Sequence, residues 1–382
     1  MVSNNKIKIA IFIPWIKSKG GVERAILRIA GDKNYETDIF TFFYDSENTF
    51  DDFKKYNIKV IGDSKPNGFI GRGIGLFKSI ISTKIPNLKE YDIFLISTAG
   101  IAELITFRNK HKNTVALCHT PLRVAHTMYD YYKKESIKNR ILLPFAVAVY
   151  KLLEKSAWKR IEYAMVFSNE VKERLINYGL IDEERIFNLG PQANYPKINK
   201  RAKTEKIIFY PSRFIKYKRQ ELAIRSFNLS EMPDRGFKLV LGGFVEDREY
   251  FESLKKFEGK NITIIENLSE KELSNLYKKC YVTLFLAINE DTGFTPLESL
   301  SYGKPVISVN EGGPKEFIKN EQNGLLVNAD ERSIADALNM VLDKKMYAKL
   351  RKGAENSTRY DEKRFMKNLE NAVSLILEKA YK

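Results

Sequence analysis

At 382 residues, with hydrophobic side chains at 43%, the chain is long for one core and apolar enough to fill two, which excludes a disordered or fibrous class. Its two cysteines, Cys118 and Cys280, exclude a disulfide framework and fit a reducing compartment. The net charge of +16 is uneven: residues 1–200 carry 32 basic and 21 acidic side chains, and residues 101–160 carry 12 against 4. Such a half expects an anionic partner (nucleic acid, a phospholipid surface or a phosphorylated substrate), the alternative being a lysine-rich solvated surface.

In chain order, Ile7–Ile13 reads as a first buried strand, with no small-residue cleavage site after it, so a cytoplasmic protein is expected. Val22–Ala30 follows as a helix with apolar positions at 22, 26, 29 and 30. Strands are expected at Thr37–Phe42, Ile93–Ile96, Thr114–Cys118 and Tyr163–Phe167, the last leading into a helix from Asn169 to Tyr178. The longest apolar stretch, Ile141–Tyr150 continuing into Leu152–Leu153, is broken by Pro144 and Lys151 and is too short to span a bilayer. Pro191–Lys206 has two prolines and no apolar period, and reads as an interdomain linker. The alternation restarts at Ile207–Tyr210, Phe237–Leu241, Ile262–Ile265, Tyr281–Leu286 and Pro305–Val309. The predicted class is α/β: two doubly wound Rossmann-like domains, with ligands beyond the carboxyl ends of the strands in a cleft between them.

The chemistry-bearing residues fall in the loops. Gly20-Gly21, between the first strand and the first helix, permit close approach of an anion, without forming a dinucleotide fingerprint or a Walker loop; a plain turn is the alternative. Ser212–Arg219 place Arg213, Lys216, Lys218 and Arg219 after a strand, as a diphosphate grip or a solvated basic turn. Gly293-Phe294-Thr295-Pro296 reads as a helix start, with Thr295 as cap, Pro296 at the first helical position and Gly303 at the end. Glu290 lies in the loop before that helix and Glu298 in its first turn. Each carboxylate suits vicinal sugar hydroxyls, against the plainer readings of a loop acid and a helix-capping acid. Cys118 and His119 are neighbours on a strand and point apart, so they form no dyad. Three histidines and two cysteines make no metal cluster. The interleaved aromatic–basic stripe needed to stack nucleic acid bases is missing.

Six stretches in register extend this reading: Gly20–Arg24 (GGVER), Cys118–Arg123 (CHTPLR), Ser212–Arg219 (SRFIKYKR), the E-x7-E pair at Glu290 and Glu298, Pro296–Val306 (PLESLSYGKPV), and Gly312–Ile318 (GGPKEFI) ahead of Asn323–Val327. Together they resemble the GT-B glycosyltransferases of the large retaining family 4, over almost the whole chain. The resemblance implies an acceptor domain at 1–192, a linker at 193–206, a nucleotide-sugar domain at 207–361 and a C-terminal helix, roughly Glu362–Lys379, returning to the first domain. It implies that Glu298 binds the donor ribose, Glu290 and His119 lie beside the transferred sugar, and Arg213 and Lys218 hold the diphosphate. Gly20 and Gly21 would approach that diphosphate from the other domain, with backbone N–H groups of Gly293, Phe294 and Thr295 beside it. Asn267 and Leu268 would contact the base. Departures from the family wording occur at Gly242–Asp247, in EDTGFT after Asn289, and at Arg123-Val124-Ala125-His126, so acceptor contacts are not carried over there.

The expected reaction is transfer of a hexose from a nucleotide diphosphate sugar to a hydroxyl with retained configuration, using no cofactor and no metal. The wording is most similar to the subgroup that extends lipid-linked or polysaccharide chains with mannose from GDP-mannose. UDP-sugar-dependent transferases and nucleotide-sugar 2-epimerases share the scaffold and stand as alternatives. The basic N-terminal half is expected to dock on an anionic membrane surface that presents the acceptor, and no nucleic acid partner is expected.

Overall fold

The structure, a computed structural model, describes residues 6–62, 71–191, 203–357 and 362–380; most of the expected linker lies outside them. It divides into two compact units, Met1–Gln192 with Lys363–Lys382, and Ala193–Glu362.

In the first unit, β2 (Trp15–Ile16) and β4 (Phe43–Tyr44) form a small parallel ladder. The main sheet comprises β1 (Ile7–Phe12), β3 (Tyr35–Thr41), β5 (Asn57–Val60), β6 (Ile93–Thr98), β7 (Thr114–Cys118), β8 (Tyr163–Val166) and β9 (Ile186–Asn188). Its order is β5-β3-β1-β6-β7-β8-β9, and every pairing is parallel. Helices α1 (Gly21–Ala30), α2 (Gly71–Ser82), α3 (Tyr129–Glu135), α4 (Ile137–Trp158) and α5 (Asn169–Asn177) connect them. Parallel strands covered on both faces need apolar residues at every position rather than alternate ones. That is the pattern of β1, where Ile9 through Phe12 are all buried.

The second unit repeats the scheme with β10 (Ile207–Pro211), β11 (Lys238–Gly243), β12 (Ile262–Glu266), β13 (Val282–Phe285), β14 (Val306–Val309) and β15 (Gly324–Val327). The order β12-β11-β10-β13-β14-β15, again all parallel, is that of a dinucleotide-binding sheet. Its helices are α6 (Gln220–Leu229), α7 (Arg248–Lys255), α8 (Glu270–Lys279), α9 (Phe294–Ser301), α10 (Glu331–Met340) and α11 (Lys344–Glu355). Helix α12 (Glu362–Ala380) lays Phe365, Leu369, Ala372, Val373 and Ile376 into the core of the first unit, beside Ile9, Ile11 and Ile26.

Helix boundaries follow local chemistry. Side-chain oxygens of Ser136, Ser168, Asp247, Asp330 and Asp343 accept from the third residue of α4, α5, α7, α10 and α11, and Ser269 with Glu272 forms a capping box on α8. The expected cap at Thr295 is corrected: α9 starts at Phe294, its cap is Gly293 in the left-handed region (φ 79°), and Pro296 is the third helical residue. Pro314 decides this, because a Cβ on Gly293 would lie 2.7 Å from its Cγ. Glu298 is accordingly the fifth helical residue, one turn beyond the capping position.

Beneath the loop after β7 lies a buried polar chain. Thr98 donates to the Glu103 carboxyl (2.5 Å), the Tyr150 hydroxyl lies within hydrogen-bond distance of Glu103 (3.0 Å) and Glu154 (3.1 Å), and Glu154 pairs with His126 (2.8 Å). Burial, reinforced by the charge of Glu154, pushes Glu103 up to about 7. The folded chain therefore keeps a proton that the unfolded carboxyl has already released, and stability falls as pH rises from the ordinary glutamate range to about 7. Urea unfolding at pH 4 and pH 8 should show Glu103→Gln escaping a loss on the order of 3 kcal/mol that the parent chain suffers. Equal losses in both proteins would place the pH dependence elsewhere.

Candidate active site

In the second unit the strand order reverses between β10 and β13, so the loops leaving their carboxyl ends diverge and open a crevice. Lys218, at the end of the β10 loop, and Glu290, in the β13 loop, meet there: Nζ donates to Oε2 at 2.7 Å. The side chains are 8% and 20% exposed, so this is a buried pair, where loss of one partner leaves the other uncompensated. Backbone bonds fix the meeting. The buried Tyr210 hydroxyl accepts from Leu286 N–H (3.2 Å) and donates to the Lys218 carbonyl, and Ile288 N–H donates to the Tyr217 carbonyl (3.0 Å). Arg219, in the left-handed region (φ 58°), bonds the Leu286 carbonyl and Glu311, whose other oxygen accepts from Asn289 N–H.

The Gly312-Gly313 pair serves this same loop. Gly313 N–H donates to the Glu290 carbonyl at 2.8 Å. A Cβ on Gly312 would stand 2.2 Å from that carbonyl oxygen, and one on Gly313 would stand 2.3 Å from the Asp291 oxygen. With Gly312 also at φ 65°, only glycine fits. Arg219, expected among the cations of a diphosphate grip, is thus held on the Leu286 carbonyl and Glu311; Tyr210 and Glu311 carried no role in the sequence reading, and no spacing rule joins residues so far apart.

The remaining predicted residues of this unit line the same carboxyl edge of the sheet. Arg213 follows β10; its guanidinium pairs with Glu246 and donates to Tyr217 Oη at 3.0 Å, and it is 52% exposed. Asn267 and Leu268 follow β12. Asn267 takes a positive φ of 53° and donates its N–H to the Gly243 carbonyl, while Leu268 packs where a Cβ of Gly242 would be. Glu298, half-buried, accepts from the Tyr277 hydroxyl at 2.8 Å. Burial raises the Tyr277 pKa, and the Glu298 charge raises it further, so this phenol remains a donor. Phe294 is exposed and Gly293 buried at the start of α9.

In the first unit, Gly20 caps α1 without a side-chain bond, and Gly21 begins it. Glu23 is buried in the first turn, accepts from Ser18 Oγ at 2.8 Å, and brings a carboxylate oxygen to 2.6 Å from where a Gly20 Cβ would stand. An anion at this helix end therefore meets a carboxylate that the glycine pattern did not announce. His119 follows β7, contacts Ser97 Oγ through Nε2 (3.0 Å) and stacks on Phe167. Burial lowers its pKa to about 3, so the ring is neutral in the physiological range.

Comparison with known proteins narrows the chemistry. Residues 191–359 match the family described as Glycosyl transferases group 1. These residues are a glycosyltransferase domain. The alpha-1,3/1,6-mannosyltransferase ALG2 of Mus musculus is 23% identical over 371 residues, covering 85% of each chain. Among solved structures, the lipopolysaccharide glycosyltransferase WaaG superposes with a TM-score of 0.69 at 15% identity, over 96% of this chain and 99% of that one. HepE of Anabaena, solved with UDP, gives 0.68 at 16%, over 97% and 100%. The fold is GT-B.

Within the glycosyltransferase domain, α6 and α9 have left-handed caps, Arg219 and Gly293, and no capping side chain. Both start at the carboxyl edge beside the Lys218–Glu290 pair, where helix ends favour anions. The pair itself is testable. Glu290→Gln keeps the shape but releases Lys218, so nucleoside diphosphate affinity should rise roughly 3- to 10-fold. Lys218→Met removes the cation and keeps the carboxylate beside the crevice, and affinity should fall at least ~10-fold. Calorimetry reads both; equal losses would show that the two charges do not compete.

Proposed function

We propose that the protein transfers a hexose from a nucleotide diphosphate sugar to a hydroxyl of a lipid-linked or polysaccharide acceptor, with retained anomeric configuration. The observation carrying this reading is the buried Lys218–Glu290 pair at the switch point of a glycosyltransferase domain, with Arg213 alongside. Mannose from GDP-mannose is the proposed donor. The likeness to a mannosyltransferase over most of both chains supports the sugar, and the wording of the sequence motifs supports the base.

The difficult step is departure of the diphosphate. Lys218 turns from Glu290 to the leaving group, and Arg213 exchanges an exposed carboxylate for phosphate oxygens. One charge-assisted hydrogen bond contributes roughly 1.5–3 kcal/mol and a well-placed helix end up to about 2 kcal/mol. Two cations with the starts of α6 and α9 thus supply several kcal/mol of stabilisation from the chain's own groups. The proposed reaction uses no cofactor and no metal. Glu290, released from Lys218, faces the sugar as its anomeric carbon becomes cationic. Glu298 receives the ribose, Asn267 and Leu268 the base, and neutral His119 accepts or donates a hydrogen bond at the sugar hydroxyls without carrying charge.

No helix among the described residues is long and apolar enough to cross a membrane. A peripheral position on the cytoplasmic face, with the acceptor held in the bilayer, is part of the proposal.

Thermal-shift comparison of GDP, UDP, ADP and their sugars should give the largest rise with GDP and GDP-mannose, since a ligand that binds only the folded state raises its melting point. Transfer should survive EDTA. Lys218→Ala should lower turnover at least ~100-fold and Arg213→Ala by less, because Arg213 sits in the wetter setting. Glu298→Ala should weaken free nucleoside diphosphate and full donor alike. Glu290→Ala, which also releases Lys218, should lower kcat while nucleoside diphosphate binds at least as tightly as in the parent. Donor turnover without transfer to any acceptor, yielding an epimerised sugar, would replace the reading with an isomerase.

A further inference from the structure

Helix α4 is apolar on two opposite faces. Val147, Tyr150, Glu154, Ala157 and Trp158 are buried against the first unit, at the three- and four-residue spacing of one helical face. Outward, the six side chains Ile137, Ile141, Leu142, Phe145, Val149 and Leu152 are all exposed, with Ile137 at 80%, Phe145 at 76% and Leu152 at 73%. These are half of the twelve large hydrophobic side chains exposed among the described residues. Such clustering is unlike the scattered apolar exposure of an ordinary surface and marks an interaction face.

The charges around the stripe select its partner. Lys138, Arg140, Lys151 and Lys155 are exposed on the same helix, and none is ion-paired among the described residues. The segment 101–160 has 12 basic and 4 acidic side chains in all. A second copy of the chain would bring one cationic rim against another, which is unfavourable. An anionic bilayer satisfies both features: headgroups meet the lysines, and the acyl boundary receives the isoleucine, leucine and phenylalanine side chains.

We infer that the outward face of α4 is a membrane-docking surface, lying in the plane of an anionic bilayer with Ile141, Phe145 and Leu152 inserted among the lipids. At 1.5 Å per residue its 22 residues give a contact about 33 Å long, lying along the surface rather than across it. Long basic side chains at its edge extend their charged ends to the headgroups while their stems cover apolar surface. The inference rests on the transferase reading only for what the membrane presents, namely a lipid-linked acceptor.

The test uses the full chain, without donor, sedimented with vesicles of phosphatidylcholine alone or mixed with phosphatidylglycerol. The parent chain should bind the mixed vesicles, more weakly as salt rises. Ile141→Asn/Phe145→Asn/Leu152→Asn should lower that partitioning at least ~30-fold. Lys138→Gln/Lys151→Gln/Lys155→Gln should lower it roughly 10-fold or more and abolish the preference for the anionic lipid. All substituted residues are exposed, so the folded circular dichroism should be retained. A Phe145→Trp probe should shift to the blue on mixed vesicles and be quenched by brominated lipid. Unquenched fluorescence, or asparagine variants that sediment like the parent, would overturn the assignment. So would a parent dimer that the asparagine variant dissociates, which would make the stripe a contact between copies. Transfer to a soluble acceptor should be unaffected by the asparagine variant. Vesicle binding by a chain that shows no transfer sinks the proposed reaction and leaves the docking face standing.

Discussion

An ammonium group buried in a protein cannot stand alone, and the pairing of Lys218 with Glu290 organises the second unit around that fact. Removing both charges from water costs several kcal/mol each, recovered only if the partners are held in contact and further hydrogen-bonded. Holding them requires two loops from strands on either side of the switch point to converge, against the divergence that the strand order imposes. Tyr210 bonds both loops at once, Arg219 and Glu311 tie the second, and Gly312-Gly313 admit its carbonyls at distances no side chain would allow. The motif-like glycines are thus a consequence of the ion pair's position and need not touch a ligand themselves.

Capping divides along the same line. Among the described residues six helices have a side chain on the first-turn amides, and in the second unit these are α7, α8, α10 and α11. The two helices of that unit with no capping side chain, α6 and α9, are those following β10 and β13 at the crevice. A capping carboxylate would neutralise the local positive end that an incoming diphosphate needs. In the first unit the corresponding helix, α1, does carry Glu23 in its first turn, bonded to Ser18. Of these three helix starts, only that of α9 has no acidic residue in its first turn, since α6 carries Glu221 there.

The sequence made the alternation of strands and helices legible because buried parallel strands are continuous apolar runs, and β1, β7 and β14 coincide with such runs within a residue or two. The edge strands of the first sheet lacked that signal: β5 is Asn57-Ile58-Lys59-Val60 and β9 is Ile186-Phe187-Asn188, too polar or too short to stand out. Helix α4 was hidden for the opposite reason. Apolar residues all round it blur the period, and Pro144 suggested a break where the helix in fact continues. At the site, local patterns located Lys218, Glu290 and Glu298 but could not show that Lys218 and Glu290 touch or that Tyr277 holds Glu298, since those contacts span 72 and 21 positions. The cap was misread because Thr295-Pro296 is a good local start signal, which the contact of Gly293 with Pro314 overrides.

Helix α4 also sets polar groups among the apolar side chains of its buried face. Its buried face contributes Tyr150 and Glu154 to a chain that runs from Thr98 and Glu103 to His126, while its outer face offers phenylalanine, leucine and isoleucine to the surroundings. Buried polar groups are tolerable only when every member is bonded, and such networks hold their elements in one geometry. Here the fixed element includes the turn at Gly100, whose carbonyl accepts from Tyr150 and whose missing Cβ admits Leu122 of the loop after His119. One helix thereby joins two surfaces of the first unit: an outward apolar stripe, and the loop from His119 to His126. A rigid link of this kind sets the height of that loop relative to whatever the stripe rests on. Conformational freedom in the link would leave a surface-bound acceptor at no fixed distance from the residues that must meet it.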